Sequence, residues 1–148
     1  MERIQIDGAC HCGRVTYQAE VDPDRVVICH CTDCQTISGA PYRVNVPVLS
    51  DRFRLRGEPK TYVKQGDSGD EVTTAFCPDC GAALYSSKGE KPAFLNLRLG
   101  AVKQRARLAP KAQGFCRSAL PWAMDITGVR RLPDTPGPAR APRPADPA

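Results

Sequence analysis

Apolar side chains recur at every second position in several short stretches of the chain. The alternation is clearest at residues 3–7, 15–19, 42–48, 53–56, 61–64 and 94–99, which read RIQID, VTYQA, YRVNVPV, FRLR, TYVK and FLNLRL. This period is typical of β-strands with one face on a core, and glycines separate the stretches as turns. Helical periodicity is absent apart from a short turn around Thr32–Ile37. The pattern predicts a mainly β fold with short helical turns.

The end of the chain has a different composition. Residues 133–148 contain six prolines among sixteen residues and no large apolar side chain. Such a segment cannot build a core. We therefore predict one domain over residues 1–132, long enough to bury a core of its own, and a disordered tail over residues 133–148.

Composition and charge narrow the classes of function. No apolar run has transmembrane length, and the first residues lack the pattern of a signal peptide, so we expect a soluble, cytoplasmic protein without a membrane partner. The net charge of +5 comes from 21 basic and 16 acidic residues. The basic residues are scattered among acidic ones with no dense aromatic-containing patch, which makes nucleic-acid binding a weak interpretation. Nothing in the pattern indicates an oligomeric state.

The eight cysteines give the strongest chemical signal. They form a Cys-x-Cys pair, a Cys-x-Cys-x2-Cys triplet, a Cys-x2-Cys pair and one isolated residue: Cys10 and Cys12; Cys29, Cys31 and Cys34; Cys77 and Cys80; Cys116. Clustered cysteines in a reducing compartment usually bind metal, and a disulfide across Cys-x-Cys would close a strained ring. Two pairs supply the four thiolates of a closed zinc site. An isolated cysteine is more often a small buried side chain than a ligand.

The triplet is one ligand short of a closed site. Three thiolates can hold zinc and leave a position open, as catalytic sites do. Alternatively, His30, His11 or Cys116 closes the site, or the thiols form a shared or iron–sulfur cluster, although the spacing matches neither common ferredoxin pattern. Because His30 lies between two ligands of an extended segment, we expect it to point away from their metal, as a hydrogen-bond partner or pocket wall.

Six segments of the sequence carry a family resemblance. They are GACHCGRVTY, CHCTDCQTISGAPY, FRLRGEPKTY, AFCPDCGAALY, LNLRLG and FCRSALPW, and the resemblance covers about residues 6–132. Together they resemble the glutathione-dependent formaldehyde-activating enzyme family, whose domain also occurs in centromere protein V. The resemblance implies a β-tent fold, a structural zinc on Cys10, Cys12, Cys77 and Cys80, and a second, catalytic zinc on Cys29, Cys31 and Cys34. Many members have Arg where this chain has Gln35, which removes a charge near the expected pocket.

The resemblance also implies an activity. Members join formaldehyde to the thiol of glutathione, giving S-hydroxymethylglutathione, and the reverse reaction breaks a carbon–sulfur bond. We therefore expect a zinc-dependent carbon–sulfur lyase acting on an aldehyde adduct of glutathione or another small thiol. The alternatives are a non-enzymatic zinc module that binds protein or nucleic acid, and a thiol redox protein using the CPDC segment, which would need its thiols free of metal.

Glutathione has two carboxylates, so its pocket requires cations or amide donors. The candidates are Arg43, Arg52, Arg54, Arg56, Arg98 and Lys103. The alternating arginines of DRFRLRG are more typical of a solvated strand face with Phe53 and Leu55 turned inward. Tyr42 and Trp122 are candidates for the pocket lining or for core packing, and Asp33 and Asp79 for orienting amides in the metal loops.

Overall fold

The computed structural model describes residues 2–134, in which ten strands and one α-helix form. In chain order they are β1 Ile4–Ala9, β2 Thr16–Val21, β3 Val27–Cys29, α1 Thr32–Ser38, β4 Arg43–Leu49, β5 Phe53–Arg56, β6 Lys60–Gln65, β7 Glu71–Phe76, β8 Ala83–Lys88, β9 Phe94–Arg98 and β10 Ala112–Gly114. Short 3-10 turns occupy Pro23–Arg25, Ser50–Arg52, Leu99–Ala101, Arg105–Arg107, Cys116–Ser118 and Pro121–Met124. The prediction of a mainly β fold is confirmed.

The strands form two open sheets. Strands β1, β2 and β5 make a three-stranded antiparallel sheet in the order β1-β2-β5. The other seven are ordered β10-β3-β4-β9-β8-β7-β6, with antiparallel neighbours except for the parallel pair β10 and β3. Within residues 2–134 no helix is long and apolar enough to cross a membrane. Apart from residues 133 and 134, the predicted tail lies outside the described residues, and the domain boundary at residue 132 stays a prediction.

One buried cluster joins the two sheets. Ile6, Tyr17 and Val21 reach it from the smaller sheet, and Val46 and Leu97 reach it from the larger one. Each large apolar side chain buried in this way contributes about 1.5–3 kcal/mol relative to exposure. The cluster therefore packs one face of each sheet against the other sheet. The opposite face of the larger sheet lies outside this core.

Gly8 shows how closely the strands of the smaller sheet are packed. Gly8 pairs with Tyr17 across β1 and β2, and a Cβ at Gly8 would lie 1.9 Å from the ring of Tyr17. The ring covers the glycine and contacts Phe53 at a centroid distance of 5.2 Å. Phe53 contacts Tyr85 of the larger sheet at the same distance. A side chain at position 8 would displace the first ring of this chain of aromatic contacts.

Side-chain alternation gives the larger sheet a second, polar face. On β4, Val46 and Val48 belong to the core while Arg43 and Asn45 point the other way. The register continues this polar face across the sheet, with Asn45 opposite Arg98, Thr74 opposite Ser86, and Val72 opposite both Lys88 and Lys64.

Candidate metal centres and the adjoining cleft

Four cysteine thiols meet beyond the ends of β1 and β7. Cys10 and Cys77 directly follow these strands, and Cys12 and Cys80 lie in the turns after them. Their Sγ atoms all lie within 4.8 Å of one another, with 3.6 Å between Cys10 and Cys12 and 3.7 Å between Cys12 and Cys77. Thiolates bound tetrahedrally at about 2.3 Å from zinc are separated by about 3.8 Å. This four-thiol cluster therefore fits a zinc ion.

Each loop of the four-thiol cluster turns back at a glycine in the left-handed region. The N–H of Gly13, at φ 81°, donates to the carbonyl oxygen of Cys10 at 3.1 Å. The N–H of Gly81, at φ 73°, donates to the carbonyl oxygen of Cys77 at 2.9 Å. Left-handed backbone favours glycine because a Cβ is strained there. Each glycine thus lets the chain turn back so that two thiols face the same point.

The pKa values in the four-thiol cluster differ between its members. Burial opposes ionisation of Cys80, but the N–H groups of Ala82 and Cys12 and the neighbouring thiols outweigh it and lower the pKa to about 6. For Cys12 the N–H of Arg14 lowers the pKa, but burial and the other thiols raise it to about 11. The first thiolate to form is stabilised by the remaining thiols, and four thiolates together repel one another. A bound cation would allow all four to ionise.

The other three clustered thiols lie where β3 leads into α1. Cys29 ends β3, Cys31 is the N-cap of α1 and Cys34 lies in its first turn. Their Sγ atoms also lie within 4.8 Å of one another, and the N–H of Cys34 donates to Sγ of Cys31 at 3.2 Å. Burial and the two neighbouring thiols raise the pKa of Cys34. We refer to these residues as the three-thiol cluster; it can also hold a metal ion.

No fourth protein ligand reaches the three-thiol cluster from the part of the chain that the structure describes. His30 is fully buried, and its Nε2 lies 2.7 Å from Oε1 of Gln113. His11 is exposed. Cys116 is exposed as well, rather than buried as an isolated cysteine usually is, and its Sγ lies 3.8 Å from the carbonyl oxygen of Gln113. None of the three residues considered as closing ligands therefore belongs to the three-thiol cluster.

The three-thiol cluster opens onto a cleft of about 380 Å³, whereas the four-thiol cluster does not line it. Cys31 and Cys34 form part of its wall together with Thr32, Asp33 and Ile37 of α1. Its floor is the polar face of the larger sheet: Arg43, Asn45, Lys64, Val72, Thr74, Ser86, Lys88 and Arg98. Residues 66–68 and Phe115 complete the rim. The volume is within the range of small-molecule sites, about 300–1,000 Å³.

Two buried arginines line the cleft. Arg43 and Arg98 are each 6% exposed. Burial, and next the charge of Arg43, lower the pKa of Arg98 to about 9. Lys64 also lines the cleft, but it forms an ion pair with Asp33, whose hydrogen bond raises the pKa of Lys64.

The other predicted cations lie outside the cleft. Arg52, Arg54 and Arg56 are exposed on β5 and just before it, while Phe53 and Leu55 pack against the core. This is the solvated strand face that the alternation indicates. Lys103 is also exposed and does not line the cleft.

Of the remaining candidate side chains, only Asp33 lines the cleft. Tyr42 packs edge-on against His30 at a centroid distance of 5.4 Å, and Trp122 is 63% exposed. Asp79 forms a surface ion pair with Arg14 at 3.5 Å. Of the two acidic residues in the metal loops, only Asp33 reaches the cleft.

Gln35 has a structural role that its position in the sequence does not indicate. Its Nε2 donates to the carbonyl oxygens of His30 at 2.8 Å and of Ser118 at 2.9 Å. The side chain therefore ties the cysteine loop to the segment after β10. Sequence reasoning also missed Asn45 and Lys64 as cleft residues, because alternation identifies two faces of a strand without saying which one meets a cavity.

Comparison with known proteins identifies a matching family and a common fold. The sequence profile of the family described as glutathione-dependent formaldehyde-activating enzyme matches residues 5–118. A crystal structure of a Rhodobacter sphaeroides protein superposes with a TM-score of 0.56 at 18% identity, covering 72% of this chain and 98% of that one. At this identity the likeness shows a common fold. No curated protein sequence matches this chain.

Proposed function

This chain belongs to the glutathione-dependent formaldehyde-activating enzyme family, and we propose that it is a zinc-dependent carbon–sulfur lyase. Its substrate would be the adduct of an aldehyde with glutathione or another small thiol, as in S-hydroxymethylglutathione. The observation that supports this most directly is the difference between the two thiol clusters. One has the four thiols of a closed site, and the other has three thiols in the wall of a cleft large enough for a small molecule.

We assign different roles to the two clusters. Cys10, Cys12, Cys77 and Cys80 would hold a structural zinc, since the spacing of their thiols suits a closed tetrahedral site. Cys29, Cys31 and Cys34 would hold the second zinc. When bound there, zinc supplies an open position for a thiolate and polarises an aldehyde oxygen. Three thiolate ligands give that centre a net negative charge, which favours weak and reversible binding of a further thiolate.

The reaction itself is an addition and its reversal. In the synthetic direction the thiol loses its proton, its sulfur attacks the carbonyl carbon, and the carbonyl oxygen takes up a proton. One carbon–sulfur bond forms and the C=O bond becomes a single bond, without an oxidant or reductant. The lyase direction breaks the same carbon–sulfur bond. The protein's part is to hold the sulfur beside the three-thiol cluster and to bind the rest of the thiol compound in the cleft.

The proposal is tested by counting zinc ions in the intact protein and in a Cys34→Ala variant, using native mass spectrometry. We expect two zinc ions in the intact protein and one in the variant, with the fold retained. A Cys116→Ala variant is the matched control, because Cys116 lies outside both clusters; it should keep both ions. Adduct formation from glutathione and formaldehyde should exceed the spontaneous rate only in the two-zinc forms.

A single zinc in both the intact protein and the Cys34→Ala variant, even after zinc is supplied, would contradict the proposal. The three-thiol cluster would then be metal-free, and a non-enzymatic zinc module would be the better interpretation. Two zinc ions with no acceleration for any thiol and aldehyde pair would also count against a lyase.

A further inference from the structure

Arg43 and Arg98 are buried charges without a carboxylate partner in the described residues, and the negative groups that act on Arg98 are the thiolates of the three-thiol cluster. No ion pair of that part of the chain involves either guanidinium. Nε and Nη2 of Arg43 and Nε of Arg98 have no hydrogen-bond partner there, while Nη1 of Arg98 donates to Oδ1 of Asn45. Burying a charge is costly unless it is paired and hydrogen-bonded. A ligand that accepts hydrogen bonds from these free donors would offset this cost.

The strand register places both arginines beside the three-thiol cluster. Arg43 on β4 is the cross-strand partner of Cys29 on β3. Arg98 on β9 is the partner of Asn45, which shares a face of β4 with Arg43. The cluster, Arg43, Asn45 and Arg98 thus follow one another across neighbouring strands. A ligand whose sulfur lies at the cluster would bring atoms a few bonds away to the arginines.

The unpaired atoms of Arg43 have the geometry of a carboxylate site. Nε and Nη2 form one edge of the planar guanidinium, and two N–H groups along such an edge can donate in parallel to the two oxygens of a carboxylate. Nε of Arg98 offers a further donor from the next strand. Lys64 differs, because Asp33 already neutralises it.

We propose that Arg43 and Arg98 form a carboxylate subsite, and that the cleft selects thiols, or their aldehyde adducts, with a carboxylate close to the sulfur. The substrate part of this inference rests on the proposed function, since it takes the three-thiol cluster as the place of the sulfur. The contrary possibility is that the two arginines only balance the negative charge of the metal-bound thiolates. In that case a carboxylate on the ligand would bring no gain in affinity.

The inference is tested with two thiols of similar size, mercaptoacetate and 2-mercaptoethanol, binding to the zinc-loaded full chain at constant ionic strength. The first has a carboxylate where the second has a neutral hydroxymethyl group. Calorimetric titration should give about tenfold to hundredfold tighter binding of mercaptoacetate, the range for hydrogen bonds to a charged group. Equal affinities would overturn the subsite and leave the lyase proposal standing.

Variants identify the residues responsible. Arg43→Met should reduce the ratio of the two affinities to near one. Arg43→Lys, which keeps the charge but loses the planar edge, should give an intermediate ratio. Arg54→Met is the control, since Arg54 is exposed outside the cleft, and it should leave the ratio unchanged. A ratio unaffected by Arg43→Met would overturn the assignment.

A final probe separates failure of the subsite from failure of the proposed function. If neither these two thiols nor glutathione binds, the proposed function fails, and (methylthio)acetate tests the arginines alone because it has the carboxylate but no free thiol. A rise in the melting temperature of the full chain that Arg43→Met abolishes would support the subsite. No rise in the intact protein would overturn it.

Discussion

The two thiol clusters use the same ligand atom in different surroundings. In the four-thiol cluster, Cys10 and Cys77 are buried. Their thiols lie beside the other two thiols of the cluster, and the four come from two turns that are far apart in the sequence. In the three-thiol cluster every cysteine is half-buried, all three lie within one short segment, and the neighbouring space is a cleft. The first arrangement links two segments of the fold, and the second places two of its three cysteines in the wall of a cleft. Under the proposed function, ligand number and an adjoining cleft, rather than ligand type or exposure, separate the structural centre from the reactive one, since Cys12 of the four-thiol cluster is itself exposed.

The strongest test of this comparison is to remove one thiol from each cluster. Cys77→Ala should lower the free energy of unfolding by more than about 3 kcal/mol, because structural zinc contributes roughly 10–16 kcal/mol to small domains. Urea denaturation followed by circular dichroism measures the loss. Cys34→Ala should have a much smaller effect on stability. Equal losses from the two variants would mean that both centres are structural.

Chelator titration should remove the two metals in sequence. We expect the first ion to leave from the three-thiol cluster with little change in the circular dichroism spectrum, since a site with an open position exchanges more easily. Removal of the second ion should coincide with unfolding. Native mass spectrometry and spectroscopy on the same samples report both events. Loss of both ions in one step, together with the fold, would remove the distinction between the clusters.

Gln35→Ala should loosen the cysteine loop. The substitution removes donors to two carbonyl oxygens, and typical hydrogen bonds contribute about 0.5–1.5 kcal/mol each, so we expect a loss of about 1–3 kcal/mol. Limited proteolysis should become faster around residues 115–122, because Ser118 lies in that segment. Gln18→Ala is the control, since the Gln18 side chain donates to Asp7 at the exposed surface. Unchanged proteolysis would contradict the role assigned to Gln35.

Gly81→Ala should produce the smallest effect. Its φ of 73° strains any residue with a Cβ, although the surrounding space is open, so we expect a loss of about 1 kcal/mol. Gly100→Ala provides a control, because Gly100 has neither a positive φ nor a close neighbour. Thermal unfolding of the zinc-loaded proteins compares the two. A tolerated Gly81→Ala would show that the second turn of the four-thiol cluster adjusts without cost.

Five of the six strands that the sequence predicts place an apolar face on the core; the exception is β6, whose Tyr62 and Val63 are exposed. Alternation identified β1, β2, β4, β5, β6 and β9, but it missed β7 and β8. Their cleft face has the polar residues Thr74, Ser86 and Lys88, and the other face includes small side chains such as Ala75. The difference in hydrophobicity between the two faces is therefore too weak to appear as an alternating pattern. Strands β3 and β10 were missed because three residues are too short for a period to appear.

The sequence also did not determine which residues of the candidate site meet across long stretches of the chain. Cysteine spacing is a local property, so it grouped the thiols correctly without showing which pairs combine. Combining Cys12 with Cys77 requires the ends of two strands in different sheets to meet. Arg43 and Arg54 are equally plausible cations by alternation alone. Only the arrangement of the sheets distinguishes them, burying the first in the cleft and leaving the second in solvent.

The parallel pairing of β3 with β10 has a consequence for synthesis on the ribosome. The four-thiol cluster has all its ligands once residue 80 has emerged, whereas β3 gains its second neighbour only with residues 112–114. The His30 N–H receives its acceptor, the carbonyl oxygen of Gly114, at the same late point. A nascent chain can therefore assemble the four-thiol cluster, which can hold a metal ion, while the segment of the three-thiol cluster is still held on one side only. The order of translation would then favour folding around the four-thiol cluster before the segment of the three-thiol cluster has both of its neighbouring strands.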